Sequence, residues 1–260
     1  PKVGIEIGGT FTDLILIDGA GELHIEKVLT TPDDLTDGAI EGFERIVRST
    51  DGAKRKISEL LHGSTVATNA LIERKGAGVG VIATSGFEDV LIIGRQERED
   101  VNDMFYRRQV PLVRRRDIVG VHERLSASGD VLPRLDEAHA LEVIRHLVKE
   151  LGHRSLAVCL LHSYRNALHE RRLAALIAEH HPGIEVSLSS DVCPEHREYE
   201  SASTTVISAY VQPVVARYLG RLSRRIEQCG FPGTPLIMQS NGGVLPVEAA
   251  AAHPAQMYVS

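Results

Sequence analysis

Val3, Ile5 and Ile7 alternate with Gly4 and Glu6, then come Gly8, Gly9, Thr10, Phe11, Thr12 and Asp13, then an apolar run from Leu14 to Ile17. A period of two marks a strand with one buried face. Asp18-Gly19 is a turn signal, and residues 22–28 read as a third strand after it. The glycine–threonine stretch is therefore the bend of a hairpin. Glycines there let the backbone turn tightly and let a ligand come close to main-chain amides. Successive N–H groups in such a bend form an anion-binding concavity, and the hydroxyls of Thr10 and Thr12 add donors. A purely structural turn is the competing reading, and Gly-Gly-Thr alone favours it.

The rest of the chain alternates strand and helix patterns, which implies parallel pairing with right-handed crossovers. Ile40, Phe43, Ile46 and Val47 mark a helix after Pro32, with Asp33 or Asp34 placed to cap it. A short strand ends at His62-Gly63, and Ser64 or Thr65 opens a helix that Gly76 stops. Residues 79–84 read as a buried strand, residues 95–116 as a basic surface excursion, and residues 119–132 as a hairpin turning at Ser128-Gly129-Asp130. Leu135 to Leu151 trace an amphipathic helix, followed by a strand over 156–161, a helix around Leu173 and Ile177, and a strand over 184–189. A long helical pattern runs over 198–227, with Pro213 expected to break and restart it, and residues 235–243 form a strand ending in a glycine turn.

A chain of 260 residues with formal net charge −6 and interspersed signs offers no nucleic-acid or anionic-membrane surface. Three cysteines without a C-x-x-C spacing argue against a disulfide framework and fit a reducing cytosol. No apolar run reaches spanning length and no secretory signal opens the chain, so a cytoplasmic, non-membrane protein is expected. The absence of tryptophan argues against a stacking platform for bases or sugars.

Six ordered blocks resemble the ATP-dependent hydantoinase A/5-oxoprolinase family, which includes related subunits of acetone and acetophenone carboxylases. They are GIEIGGTFTD (4–13), HGSTVATNALIERKGA (62–77), GFEDVLIIGRQ (86–96), AVCLLHSYRNALHE (157–170), PEHREYESASTTVISAYVQP (194–213) and MQSNGGV (238–244). The resemblance implies an α/β, actin-like and sugar-kinase-like ATPase architecture on ribonuclease-H-like cores, its mixed sheet opening with β-hairpins and flanked by helices. It implies an N-terminal-type domain over residues 1–182 and the beginning of the hydantoinase/oxoprolinase core domain over 183–260. It also implies ATP and Mg²⁺, phosphorylation of a cyclic-amide or enolate oxygen, a small cyclic amide or ketone as substrate, a hydantoinase B-type partner, and an oligomer. The implied nucleotide residues are Gly8, Gly9, Thr10, Phe11, Thr12 and Asp13. No catalytic residue is named.

Phosphoryl transfer needs positioning and charge neutralisation more than covalent help, so a bend of open amides suits it. A carboxylate on the first strand can hold hydrated Mg²⁺. The resembled family usually has Asp where this chain has Glu6, whose extra methylene moves the carboxylate outward; an ordinary polar-face residue is the other reading. Ser64, Thr65 and Asn69 are candidates for an anionic group, against plain N-capping. Arg95 could meet a carboxylate or phosphate, or lie solvated. His62 and His162 each follow an apolar strand, and a satisfied structural histidine is favoured over a catalytic one for both. Cys193 and His196 lack a second pair to complete a zinc set. The basic run 107–116 reads as a solvated or subunit-contacting face.

The ATPase subunit of a ketone carboxylase stays open as an alternative, as do a sugar kinase sharing only the Gly-Gly-Thr turn and a non-catalytic interaction fragment. With a single phosphate turn and NGGV unable to serve as a second, these residues alone are expected not to hydrolyse ATP. An apolar face uncovered by a missing lobe would favour self-association.

Overall fold

The alternation at the start of the chain builds three antiparallel strands, β1 (Lys2–Ile7), β2 (Phe11–Ile17) and β3 (Leu23–Leu29). The computed structural model describes residues 1–31, 34–48, 57–96, 102–106 and 110–252. Two units emerge, one from Pro1–Lys75 with Val214–Ser260, the other from Gly76–Pro213.

The discontinuous unit holds a six-stranded sheet in the order β10-β9-β4-β1-β2-β3. Strand β4 (Glu59–Ser64) runs parallel to β1, β9 (Leu236–Met238) runs parallel to β4, and β10 (Val244–Pro246) closes a hairpin with β9. Val3, Ile5, Leu14, Leu16 and Leu60 turn one face inward. Helix α1 (Leu35–Arg48) buries Phe43 and Ile46 and comes close enough that a Cβ on Gly42 would sit 2.2 Å from Leu14 Cδ1. Asp34 caps it, its Oδ1 accepting from Thr36 N at 2.9 Å; Asp33 lies outside the described residues. The other face carries Phe11, Ile15, Ile17, Leu23, Ile25 and Leu29, all exposed.

Helix α2 (Val66–Ile72) ends earlier than its sequence suggests, at Arg74 in the left-handed region (φ 54) rather than at Gly76. Gly76 serves a different purpose in the continuous unit. Its missing side chain makes room for the Tyr210 ring, which a Cβ would meet at 2.2 Å.

The continuous unit is built on a parallel sheet, β6-β5-β7-β8, from β5 (Val79–Thr84), β6 (Ile118–Val121), β7 (Ser155–Cys159) and β8 (Glu185–Leu188). The connections carry α3 (Val90–Ile93), α4 (Glu137–Arg145) continued by a π-helical turn (His146–Glu150), and α5 (Leu168–His180), with α6 (Ser189–Val192) after β8. The hairpin expected over 119–132 is shorter than its pattern: residues 118–121 pair in parallel with β5 instead. The turn at Ser128-Gly129-Asp130 does form, with Ser126 N donating to Asp130 O at 2.9 Å, Leu132 N to Arg124 O at 3.0 Å, a Leu125–Val131 bridge, and Gly129 at φ 92. In the basic excursion, Arg114 pairs with Asp117 at 3.0 Å and Arg115 with Asp89; residues 107–109 lie outside the described residues.

Helix α7 (Glu198–Gln228) runs unbroken through Pro213, against the expected restart. Proline there strips the Ala209 carbonyl of its helical donor. The Ser155 hydroxyl takes that place, donating to Ala209 O at 2.7 Å. Helix α8 (Val247–Ala252) follows β10. No helix among the described residues is long and apolar enough to cross a membrane.

Candidate functional site

Because β1, β4 and β9 are parallel, the chain leaves all three at one end of their sheet. That end gathers the bend at residues 8–10, the Ser64–Thr65 start of α2 and the turn at residues 239–243, from segments far apart in sequence.

The bend is braced from within. Thr30 N donates to Thr10 O at 3.0 Å, Thr30 Oγ1 donates to Gly8 O at 2.9 Å, and the Thr12 and Thr30 hydroxyls lie 3.1 Å apart. Gly8 N donates to Phe11 O at 3.0 Å. The Gly9 and Thr10 amides have no hydrogen-bond partner among the described residues, and both residues are exposed. Of the successive Gly8, Gly9 and Thr10 amides, the last two are thus open. Thr12 is corrected as well: it is fully buried on the Leu14 side of β2, so its hydroxyl holds the bend instead of facing a ligand. Neither glycine lies in the left-handed region. Gly8 is needed for close approach, since a Cβ there would come 3.1 Å from Phe11 O, whereas one on Gly9 meets nothing within 4 Å.

Glu6 and Asp13 are cross-strand partners on the outer face, and Asp13 is opposite Lys27, which it binds at 2.9 Å. Lys27 also lies 4.8 Å from the Phe11 ring centroid. Beside Glu6, Gly63 leaves a gap: a Cβ there would be 3.2 Å from Glu6 Oε2. Among the described residues no third His, Cys, Asp or Glu joins Glu6 and Asp13 in a ligand cluster. That donor set fits a divalent ion retaining most of its water and does not fit a dehydrated one.

Ser64 is the β4 neighbour of Ile7. Thr65 stands at the N-cap without capping; its hydroxyl donates to Ile7 O at 3.4 Å, while Asn69 Nδ2 donates to Thr65 Oγ1 at 3.2 Å. The Ser64 hydroxyl accepts from Val66 N at 3.2 Å. In the 239–243 turn three amides are spent internally: Gln239 N on Gly243 O, Gly242 N on Gln239 O and Gly243 N on Asn241 Oδ1. Arg95 belongs to the other unit, where its guanidinium grips Glu200 Oε1 at 2.7–2.8 Å. His196 meets the Tyr164 ring edge-on, with centroids 5.6 Å apart.

His62 is a structural histidine. Fully buried, it hydrogen-bonds the Ile5 carbonyl through Nδ1 at 3.1 Å and accepts from the Tyr218 hydroxyl at Nε2, 2.7 Å away. Burial, partly offset by the bond to Ile5, lowers its pKa to about 4. Between that value and the ordinary 6.5 the unfolded chain binds more protons than the folded one. Stability present above pH 6.5 should therefore drain away as pH falls to about 4. The expected loss is on the order of 3 kcal/mol, read by urea unfolding at both ends, and His62→Gln should flatten it. Buried Glu170 in the continuous unit works the other way: burial raises its pKa, so folding is favoured as pH falls into its range.

The mixed α/β architecture, with its opening hairpins and its parallel strands, is an actin-like ATPase-type fold. The chain belongs to the hydantoinase/oxoprolinase family: the profile of its N-terminal region matches residues 2–181 and that of the hydantoinase/oxoprolinase domain matches residues 201–260. It is 37% identical over 258 residues to an uncharacterized protein of Methanocaldococcus jannaschii, covering 98% of this chain and 37% of that one. It is 34% identical to the acetophenone carboxylase gamma subunit of Aromatoleum aromaticum, covering 93% of this chain and 35% of that subunit. The crystal structure of the ATP-dependent caprolactamase from Pseudomonas jessenii superposes with a TM-score of 0.88 at 34% identity, covering 98% of this chain and 38% of that one. The chain thus spans little more than a third of the length of these relatives.

Proposed function

We propose that this chain supplies the phosphate-gripping part of a larger ATP-dependent subunit that phosphorylates the carbonyl oxygen of a cyclic amide and so drives ring-opening hydrolysis. The observation that carries the reading is the bend itself, whose Gly9 and Thr10 amides stay open while Thr30 and Thr12 hold it rigid from behind. Preorganised amides act on phosphate oxygens without reorganisation at the moment of reaction. The Thr10 hydroxyl adds a donor, and Ser64, Thr65 and Asn69 lie where a further anionic group would sit. Phe11 and Asp13 complete the motif; Arg95 is a candidate anion contact of the other unit, beside Glu200. ATP, when bound, supplies the phosphoryl group. Glu6, with Asp13 beside it, would hold a hydrated Mg²⁺.

Within this reading the N-terminal-region domain extends to residue 182 and the core domain begins at 183. The whole protein works in the cytoplasm, in an oligomer with a hydantoinase B-type subunit. Likeness to an acetophenone carboxylase subunit supports a second reading, activation of a ketone for carboxylation. Assays of the full-length protein with hydantoins, 5-oxoproline, lactams, and ketone plus bicarbonate separate the two.

Two results are expected. Isothermal titration of the 260-residue chain with Mg-ATP should show weak or no binding and no phosphate release, because one phosphate turn leaves the γ-phosphate in water, where each contact is worth little. Tight binding with steady turnover would mean that the site is complete within these residues. In the full-length protein, Glu6→Gln should weaken Mg²⁺-dependent turnover more than nucleotide binding, since the amide keeps the shape and loses the charge. Unaltered Mg²⁺ dependence would make Glu6 a structural residue.

A further inference from the structure

The parallel sheet of the continuous unit contains a topological switch point. From β5 the chain moves to β6 on one side, then returns to β7 on the other side of β5 and continues outward to β8. Right-handed crossovers carry the β5–β6 and β7–β8 connections to opposite faces. A crevice therefore opens at the carboxyl ends of β5 and β7, which is where open α/β sheets take their ligands.

A cavity lies there, enclosing about 520 Å³ of empty space with its open mouth included. Ala83 and Cys159, register partners at the ends of β5 and β7, form its floor. Phe87, Val90 and Leu91 wall one side and Ala202 of α7 another. The polar lining is one-sided in character: Glu88, Glu195 and Glu198 bring carboxylates, and among the described residues no lysine or arginine lines the cavity. Ser163 and Ser189 are spent on each other at 2.8 Å, and Ser189 also donates to Glu170 at 2.6 Å.

His162 is different. It stands just past β7 in the left-handed region (φ 61), a conformation that a non-glycine residue holds only when its surroundings impose it. Its Nδ1 is buried and has no hydrogen-bond partner among the described residues; Glu198 Oε1 is 3.6 Å away, beyond hydrogen-bond reach. The same carboxylate oxygen accepts from His162 N at 3.4 Å, so a ring nitrogen and a carboxylate stand side by side at the mouth of an apolar cavity with hydrogen-bonding capacity left over for a ligand.

We propose that the continuous unit carries its own small-molecule site at this switch point, taking a compact apolar molecule whose single N–H donor head, a protonated amine or an amide, bridges Glu198 and His162. The site involves none of the residues of the bend at 8–10, so it stands or falls apart from the phosphate reading.

Three probes with the same cyclohexyl body test it by isothermal titration into the full chain: cyclohexylammonium, cyclohexanecarboxamide and cyclohexanecarboxylate. The first two should bind with Kd on the order of millimolar, as expected for so few atoms, and the carboxylate at least about tenfold more weakly. Glu198→Gln should weaken cyclohexylammonium by about tenfold or more and the carboxamide less, since only the ammonium loses a charged partner. Ala202→Phe should fill the cavity and abolish binding of both. Because that larger residue could disturb α7, Glu198→Gln at a half-exposed position is the variant that decides, with an unchanged unfolding midpoint as its control. Failure of all three probes to bind would overturn the proposal. So would carboxylate binding as tight as ammonium binding, or equal ammonium affinity in wild type and Glu198→Gln.

Discussion

Gly9→Val in the full-length protein is expected to lower ATP turnover by on the order of 10²-fold or more, the scale of removing an oxyanion-type donor. The folded state should hardly notice. Gly9 is exposed, lies outside the left-handed region, and an added Cβ would meet nothing within 4 Å. Surface changes of this kind shift stability by about 0.5 kcal/mol or less. The same empty space is the approach to the Gly9 and Thr10 amides, so a branched side chain stands where phosphate oxygens would come. Turnover and thermal unfolding measured on one preparation separate the two effects. A well-folded Gly9→Val protein with an unchanged ATPase rate would remove the bend from the nucleotide site.

The second large effect concerns stability. Glu123 is buried just past β6, where it accepts from the Thr84 hydroxyl and faces His169 Nδ1 at 2.7 Å. Thr84 Oγ1 in turn accepts from Leu161 N at 2.9 Å, so one carboxylate ties together the carboxyl ends of three strands and the start of α5. Glu123→Ala leaves His169 Nδ1 and the Thr84 hydroxyl proton without their partner in the interior, and the loss should be roughly 3–5 kcal/mol. Replacing both members, Glu123→Leu with His169→Leu, should be much less damaging, because no orphaned polar partner of the pair then remains on the histidine side. Urea unfolding of the three proteins decides it. A single variant losing less than about 1 kcal/mol would show that the pair behaves like an exposed one.

The opening hairpin was legible because its physics is local: the period-two pattern fixes which face is buried, and the glycines mark the bend. The same parity held more than was taken from it. Thr12 shares its face with Leu14 and Leu16, so its inward course is written in the alternation, and treating it as a ligand donor overlooked that. Thr30 had no comparable signal. Its importance arises from the register of β2 against β3, which brings Leu29 opposite Phe11 and sets the next residue against the bend. The approach of residues 239–243 to Ser64 was also hidden, since it depends on a parallel pairing between strands separated by most of the chain. Pro213 misled for a different reason. The helix-breaking rule counts a lost hydrogen bond, but a serine from β7 restores it, and single-sequence patterns carry no information about such a partner.

The interrupted course of the discontinuous unit sets an order of assembly on the ribosome. Strand β4 leaves the exit tunnel roughly 170 residues before β9, its parallel neighbour, has been made. At about 5–20 residues per second that is an interval on the order of ten to thirty seconds. The segment Gly76–Pro213 is synthesised whole within it and can complete its own sheet while the first sheet waits, one edge unpaired. A nascent chain of this design is most exposed to edge-to-edge aggregation in that interval, and it is there that a chaperone holding the β4 edge would do the most good.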